Sequence, residues 1–428
     1  MMHIYSMKEE TKYKDIINLP EPDYLLIPLF EKFGSKPEAI VSVGDYVKRY
    51  QPIAKSKQGF SAPMHSPVSG VVEKIDVFPQ LDGGEARCIL IKNDGLNAET
   101  NDLPLIADDN SADEILQTIE NAGIVGLGGA QFPTALKYKR SGKKVDTFIV
   151  NAAECEPYLS GDYSLMRKYC EEILEAIIII NKILEAEKIV LAFEKANSDI
   201  AEIFKPYLNE DRYSKIRLYI LSNEYPQGGE LQLAKTITGI EMPKGSVPIN
   251  YGIIVSNVGT VHAVYNAVVK SRPLVERVIT VSGEHTSSPG NYIVKIGTPI
   301  KHILENCGVN IENSLLVAGG PMMSPQILNI SAPVHKGTLG VIALERKSVD
   351  RKPCIWCGYC ADVCPMRLMP MQFYKLNYNK QYKQLANYDI DDCIECSACE
   401  YICPSKVPLI ENIKTGKINL SKIKNGTK

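Results

Sequence analysis

Eight of the chain's twelve cysteines fall into two short runs near the C-terminus. Cys354, Cys357, Cys360 and Cys364-Pro365 form one, and Cys393, Cys396, Cys399 and Cys403-Pro404 the other. Both read C-x2-C-x2-C-x3-C-P, the spacing of two [4Fe–4S] clusters in which the fourth cysteine of each run crosses to the other cluster. That groups Cys354, Cys357, Cys360 and Cys403 around a first cluster and Cys393, Cys396, Cys399 and Cys364 around a second. Two clusters lying close together conduct single electrons, so the rest of the chain should supply a source or a sink. Zinc usually takes four ligands as two pairs separated by a loop, whereas here three thiols share one tight turn. Disulfides fit less well, because a chain of 428 residues needs no staples to fold. The scattered Cys88, Cys155, Cys170 and Cys307 read as packing residues.

Apolar residues make up 45% of the chain, and the length prior gives about three domains. Net charge is −2, from 48 basic and 50 acidic residues, so no nucleic-acid footprint is expected. Cluster assembly requires a reducing compartment, which points to the cytoplasm. The opening residues are polar and lack the apolar core of a signal peptide. The most apolar stretch, residues 173–193, is broken by Asn181, Lys182, Glu185, Glu187 and Lys188. It cannot supply the ~20 continuous apolar residues of a spanning helix. A buried helix followed by a core strand is expected there, and any membrane role must come through a partner. The lysine-rich tail, residues 414–428, reads as a solvated end, with weak attraction to an acidic membrane surface as the alternative.

The expected architecture is multidomain α/β. Residues 25–100 hold two strand–turn–strand patterns, at 41–47 and 68–75, that look like the halves of a barrel-sandwich hybrid. In carriers of biotin or lipoate the hairpin between the halves presents a lysine. Here it reads Pro63-Met64-His65-Ser66-Pro67, so a swinging arm is not expected, and His65 reads as a surface residue. Residues 108–262 alternate helix and strand patterns, which argues a largely parallel sheet. One long helix is expected over 162–184. Residues 270–345 give two strands and a helix, as in a β-grasp unit of the SLBB kind. Residues 350–415 form an α-helical two-cluster module.

The segment Gly126-Leu-Gly128-Gly129-Ala-Gln-Phe132-Pro-Thr-Ala-Leu-Lys137 combines amides that can approach a phosphate, a helix start and a cation. It is not the G-x-G-x-x-G fingerprint of dinucleotide folds. Three other loops follow strands or glycine turns: Asn151-Ala-Ala-Glu154-Cys-Glu156-Pro157, Tyr225-Pro-Gln-Gly-Gly-Glu230 and Ser256-Asn257-Val-Gly-Thr260. Acids and amides at strand ends suit the polar edges of a flavin and a ribose. Each taken singly reads as a plain loop.

GLGGAQFPTALK, NAAECEP, YPQGGE and SNVGT, followed by the double cysteine run, resemble the RnfC family, one of the components of Rnf-type ferredoxin:NAD oxidoreductases. The likeness runs from residue 28 to Lys414. The middle of the chain also resembles the flavin-bearing NADH-binding subunit of respiratory complex I. The resemblance implies FMN, NAD(H) and two [4Fe–4S] clusters in a peripheral subunit on the cytoplasmic side of a membrane complex that pumps sodium ions or protons. NAD(H) would exchange a hydride with FMN, which would pass single electrons to the clusters and on to partner subunits, with ferredoxin reached indirectly. Carried over by position, it implies that Gly126, Gly128 and Lys137 hold the flavin phosphate. Asn151, Glu154, Asn257 and Thr260 would line the flavin. Phe132 would offer a stacking face, with Glu156 and Glu230 near the nucleotide. Ala153, Gln131 and Gly259 depart from the complex I pattern. Soluble relatives that reduce cobalamin or feed amino-acid reductases, and a relay module without flavin, are the alternatives.

Overall fold

The computed structural model describes residues 2–426 except 31, 57–60, 101–102, 105–109, 140–141 and 244. The start of the second expected domain, residue 108, and the terminal Lys428 lie outside those residues.

After a two-residue strand β1 (Ile17–Asn18), seven strands build the barrel-sandwich hybrid. They are β2 (Tyr24–Pro28), β3 (Glu38–Ala39), β4 (Tyr46–Val47), β5 (Pro52–Lys55), β6 (Met64–His65), β7 (Gly70–Pro79) and β8 (Glu85–Asn93). Two antiparallel sheets, β2-β8-β7-β4 and β3-β5-β6, enclose Leu25, Ile27, Val47, Ile53, Val72, Ile89 and Ile91. The inward residues of β2 and β8 recur at every second position, as the pleat dictates. The two expected strand–turn–strand units need correction. Of residues 41–47 only Tyr46–Val47 is strand, and residues 70–75 belong to the ten-residue β7. A register shift between Val72 and Lys74 inserts one residue, so Val72 and Ile75 both turn inward. His65 is also corrected: it is 5% exposed, and burial next to Lys336 pushes its pKa down to about 3.

The next unit alternates α1 (Ala112–Asn121), α2 (Thr134–Tyr138), β9 (Thr147–Asn151), α3 (Gly161–Lys168), α4 (Cys170–Leu184), β10 (Lys188–Glu194), α5 (Ile200–Leu208), β11 (Ile216–Leu221), α6 (Glu230–Thr238), β12 (Ile253–Asn257) and α7 (Val258–Val268). A capping box starts α1: Ser111 accepts from the Glu114 amide while the Glu114 carboxylate reaches back to Ser111. The parallel sheet runs β11-β10-β9-β12. Ile173, Ile177, Ile180 and Leu184 lie on one face of α4 and are buried. The single helix expected over 162–184 is two, because Tyr169 leaves the helical region (φ −123°, ψ 37°). The break lets α3 reach the following domain, where Gly161 packs on Val278 and Thr280.

That domain holds β13 (Glu276–Ser282), β14 (Gly290–Lys295), α8 (Ile300–Asn306), β15 (Ser314–Val317) and β16 (Gly340–Glu345). The order β14-β13-β16-β15, with β13 and β16 parallel and the outer pairs antiparallel, is the β-grasp arrangement, and α8 covers its face. The N-terminal β1 adds a fifth strand beside β14. The same N-terminal segment exchanges two backbone hydrogen bonds between Met2 and Tyr225 and buries Thr11 against Ser160 and Asn291.

The C-terminal module contains α9 (Tyr359–Asp362), α10 (Pro370–Tyr378), α11 (Ala398–Tyr401) and α12 (Leu409–Lys424). The tail expected to be solvated, residues 414–428, continues α12 as far as Lys424: it buries Gly416 and Leu420, while residues 421–426 are exposed. At Gly416 the helix lies close against Ile390 and Leu385: a Cβ there would stand 2.9 and 3.1 Å from their methyls.

Candidate functional site

The chain steps outward from β9 to β10 and β11, then crosses back to place β12 on the other side of β9. In an open α/β sheet that reversal leaves a crevice beyond the carboxyl ends of the two strands, where ligands bind. Asn151 and Asn257 end β9 and β12 and are register partners. Asn151 Nδ2 donates to the Gly228 carbonyl (2.9 Å), and its Oδ1 accepts from Ala153 N (3.0 Å). Asn257 Oδ1 caps α7 through Gly259 N (2.9 Å), and its Nδ2 donates to Asp162 Oδ2 (2.6 Å). The two amides tie three of the four loops singled out in the sequence to one crevice.

The glycine-rich loop joins them. It closes on itself through Gly126 N to Phe132 O (2.9 Å) and Gln131 N to Gly126 O (3.0 Å). Leu127 N donates to Thr260 Oγ1 at 2.8 Å, where the hydroxyl is buried. A Cβ on Gly128 would stand 3.2 Å from Asn257 Cβ, so the glycine permits this approach. Gln131, one of the departures from the complex I pattern, has φ 58° and so keeps the left-handed backbone a glycine would adopt freely. Among the described residues, the amides of Gly128, Gly129 and Ala130 meet no protein acceptor. Lys137 stands on α2 and pairs with Glu230 Oε1 at the start of α6 (2.7 Å). Amides without acceptors beside a cation fit a phosphate. Phe132 meets Phe33 of the barrel-sandwich unit edge-on, with centroids 5.5 Å apart.

The two acids of the β9 loop diverge. Glu154 turns to the start of α3, accepting from Asp162 N (3.1 Å) and Tyr163 N (3.5 Å), and burial raises its pKa. Glu156 points at the β-grasp unit, where Oε2 accepts from Met322 N (3.0 Å) and Oε1 is buried without a partner. Burial pushes its pKa up to about 7, against the opposing pull of the Met322 and Met323 amides.

The cysteine runs interleave. One cavity is lined by Cys364, Cys393, Cys396 and Cys399, and the other by Cys354, Cys357, Cys360 and Cys403. Both runs place left-handed residues at the same offsets: Trp356 and Glu395, Gly358 and Ser397, Arg367 and Lys406. Five of these six are not glycine, so curling the chain around its thiols carries backbone strain of about 1 kcal/mol or more at each. Amides turn toward sulfur, from Leu368 to Cys364 and from Glu395 to Cys393 (both 3.4 Å). Burial pushes the Cys396 thiol up to about 11, and a coordinated metal ion would favour its thiolate form. Four thiols around a shared space fit a four-iron cluster. Among the described residues, no three ligand side chains gather as a single-ion site.

The two cavities differ in surroundings. Cys357, Ile355, Trp356 and Tyr359 are exposed around one. The other abuts the α/β unit: Tyr225 Oη donates to the Cys396 carbonyl (2.8 Å), and Met2, Ile4, Met322 and Ala398 pack around the contact with Cys155 beside them. Sequence reasoning saw Tyr225 only as the start of a glycine turn and gave no sign that the N-terminus would cover it.

Three known families follow one another along the chain. The RnfC barrel sandwich hybrid domain matches residues 2–96, the Nuo51 FMN-binding domain 119–266 and the 4Fe-4S dicluster domain 353–407. The RnfC protein of the proton-translocating ferredoxin:NAD(+) oxidoreductase complex of Clostridium ljungdahlii is 36% identical over 390 residues, covering 90% of this chain and 85% of that protein. The chain belongs to the RnfC family. Another RnfC-family member, from the ion-translocating oxidoreductase complex of Edwardsiella ictaluri, is 36% identical over 423 residues, 96% of this chain and 52% of the other. The chain thus spans about half the length of that relative. An NAD+-reducing [NiFe]-hydrogenase shares the fold, with a TM-score of 0.50, 19% identity and coverage of 73% of this chain and 61% of that one. This RnfC-family chain therefore joins an FMN-binding domain and a 4Fe–4S dicluster domain in one polypeptide.

Proposed function

We propose that the protein is the peripheral electron-transfer subunit of a membrane-bound ion-translocating ferredoxin:NAD+ oxidoreductase, placed on the cytoplasmic side and held there by partner subunits. Among the described residues no helix is long and apolar enough to cross a membrane. When bound, a flavin accepts two electrons as hydride from a nicotinamide and yields them singly. Gly126, Gly128 and Lys137 hold its phosphate, and Asn151, Glu154, Asn257 and Thr260 fix the loops around it. Phe132, Glu156 and Glu230 border the nucleotide side. Cys364, Cys393, Cys396 and Cys399 hold the cluster on the flavin side, and Cys354, Cys357, Cys360 and Cys403 hold the one facing outward.

One observation carries this reading: the cavity of Cys364, Cys393, Cys396 and Cys399 is packed onto the loop that also borders the crevice. Tyr225 touches Cys396, and Gly228, three residues on, accepts from Asn151. That continuity gives electrons a short covalent and hydrogen-bonded route, and Met2, Ile4 and Met322 keep water out of it. The test is anaerobic reconstitution followed by NADH. About eight irons and one flavin per chain are expected from two four-iron clusters, with the cluster absorption bleached by NADH and two cluster signals by EPR. Two zinc ions and no flavin, or bleaching by dithionite alone, would end the reading.

A further inference from the structure

The glycine-rich loop is held from behind by a domain other than its own. Arg277 on β13 is 8% exposed, and its Nη2 donates to the Leu127 carbonyl at 3.0 Å. Its Nη1 donates to the Lys336 carbonyl, also in the β-grasp unit. Lys336 is 6% exposed, and its Nζ donates to Gly123 O (2.8 Å) and Pro63 O (3.2 Å). Pro63 belongs to the barrel-sandwich turn, so three domains meet at the foot of this loop. Gly123 has φ +67°, and a Cβ there would stand 2.1 Å from Pro63 O.

The Leu127 residue is gripped at both ends, its N–H by Thr260 and its carbonyl by Arg277. A trans peptide is planar, and its C=O and following N–H point in opposite directions. Drawing the Leu127 carbonyl back to the guanidinium therefore turns the Gly128 N–H to the opposite side, the first of the three amides without a protein acceptor. A planar fork that donates to two carbonyls at once suits arginine better than lysine.

We propose that Arg277 is the positioning residue of the loop: it sets the Leu127–Gly128 peptide so that the loop's amides face the flavin 5′-phosphate, and thereby selects phosphorylated over unphosphorylated flavin. This rests on the loop being the phosphate cradle. Arg277 acts through the Leu127–Gly128 peptide, as a positioning residue.

The test titrates FMN and riboflavin separately into the full chain, its clusters intact and its flavin removed, following flavin fluorescence. The wild-type protein binds FMN more tightly than riboflavin. Arg277→Met fills similar volume without donors and weakens FMN by about tenfold while riboflavin affinity changes less than twofold. Arg277→Lys keeps the buried charge but not the fork, and it shows the same selective loss at smaller size. It also serves as the readout if the methionine variant does not fold. Equal weakening of both flavins, or no change in either variant, overturns the role of Arg277. A wild-type protein that does not distinguish the two flavins instead overturns the reading of the loop on which this proposal stands.

Discussion

Tyr225→Phe isolates the contact between the α/β unit and the cluster module. The ring is 1% exposed and stays packed among Met2, Ile4, Met322 and Ala398, while the hydroxyl that donates to the Cys396 carbonyl is lost. A made hydrogen bond contributes about 0.5–1.5 kcal/mol net, and a buried acceptor left unmade costs about 1–3 kcal/mol. The expected loss is about 1.5 kcal/mol, carried by the docking of two domains rather than by either core. A difference of about 1.4 kcal/mol is tenfold in a population, so the undocked state rises by about tenfold. Hydrogen exchange of the holoprotein reads this directly. Amides over residues 393–402 and 2–5 should lose about tenfold in protection, and those of β9 and β10 should keep theirs. Tyr225→Ala removes the ring as well and should open the interface much further, since aromatic truncations in cores cost about 3–5 kcal/mol. If Tyr225→Phe left exchange in both segments unchanged, the hydroxyl would not be holding the domains together, and the electron route drawn through this contact would lose its support.

The cluster cavities should respond differently to single cysteine losses. Cys396→Ala and Cys357→Ala should each lower iron content by about half on the four-per-cluster stoichiometry, but only Cys396→Ala should also abolish bleaching by NADH of the cluster that remains. Asn291 joins the N-terminal segment, α3 and the β-grasp sheet through Thr11 O, Ser160, Ser164 and Thr280. Asn291→Leu strips several buried partners at once and should cost about 2–4 kcal/mol, with Thr11 and its neighbours becoming open to limited proteolysis. Burial raises the pKa of Glu156 from 4.5 to about 7. A carboxyl raised on folding favours the folded state below its unfolded pKa and loses that advantage as pH rises through the folded value. Glu156→Gln, which does not ionise, should therefore gain in melting temperature relative to wild type from pH 5 to pH 8. A flat difference across that range would contradict the burial of this carboxylate.

The cysteine runs show why some of the site was open to inspection in one dimension. Cluster ligation is written in short spacings, and a run of three thiols with the fourth four residues on allows few geometries. The cavities of four thiols each follow the crossed grouping that spacing suggested. The strand-end loops were equally visible, since Asn151 and Asn257 directly end β-rich runs. What they bind to was not. Asn151 serves Gly228, Asn257 serves Asp162, and Glu154 serves the start of α3, all partners outside their own loops. The break at Tyr169 was missed because periodicity continues through it, while the packing of α3 on β13 that requires it is a long-range contact.

The order of modules, the character of each core and the grouping of the thiols were legible in local pattern: alternation at two residues in β2 and β8, helical spacing in α4, and fixed cysteine intervals. These depend on neighbours a few positions apart, which a chain carries with it however it folds. The tertiary structure alone decided which cavity faces the flavin domain, that the polar N-terminus threads between three domains as strand β1 and a cover for Tyr225, and that Arg277 and Lys336 brace a loop some 150 and more positions away. Those contacts are made by single buried polar groups whose partners are chosen by distance in space, and no periodicity announces them.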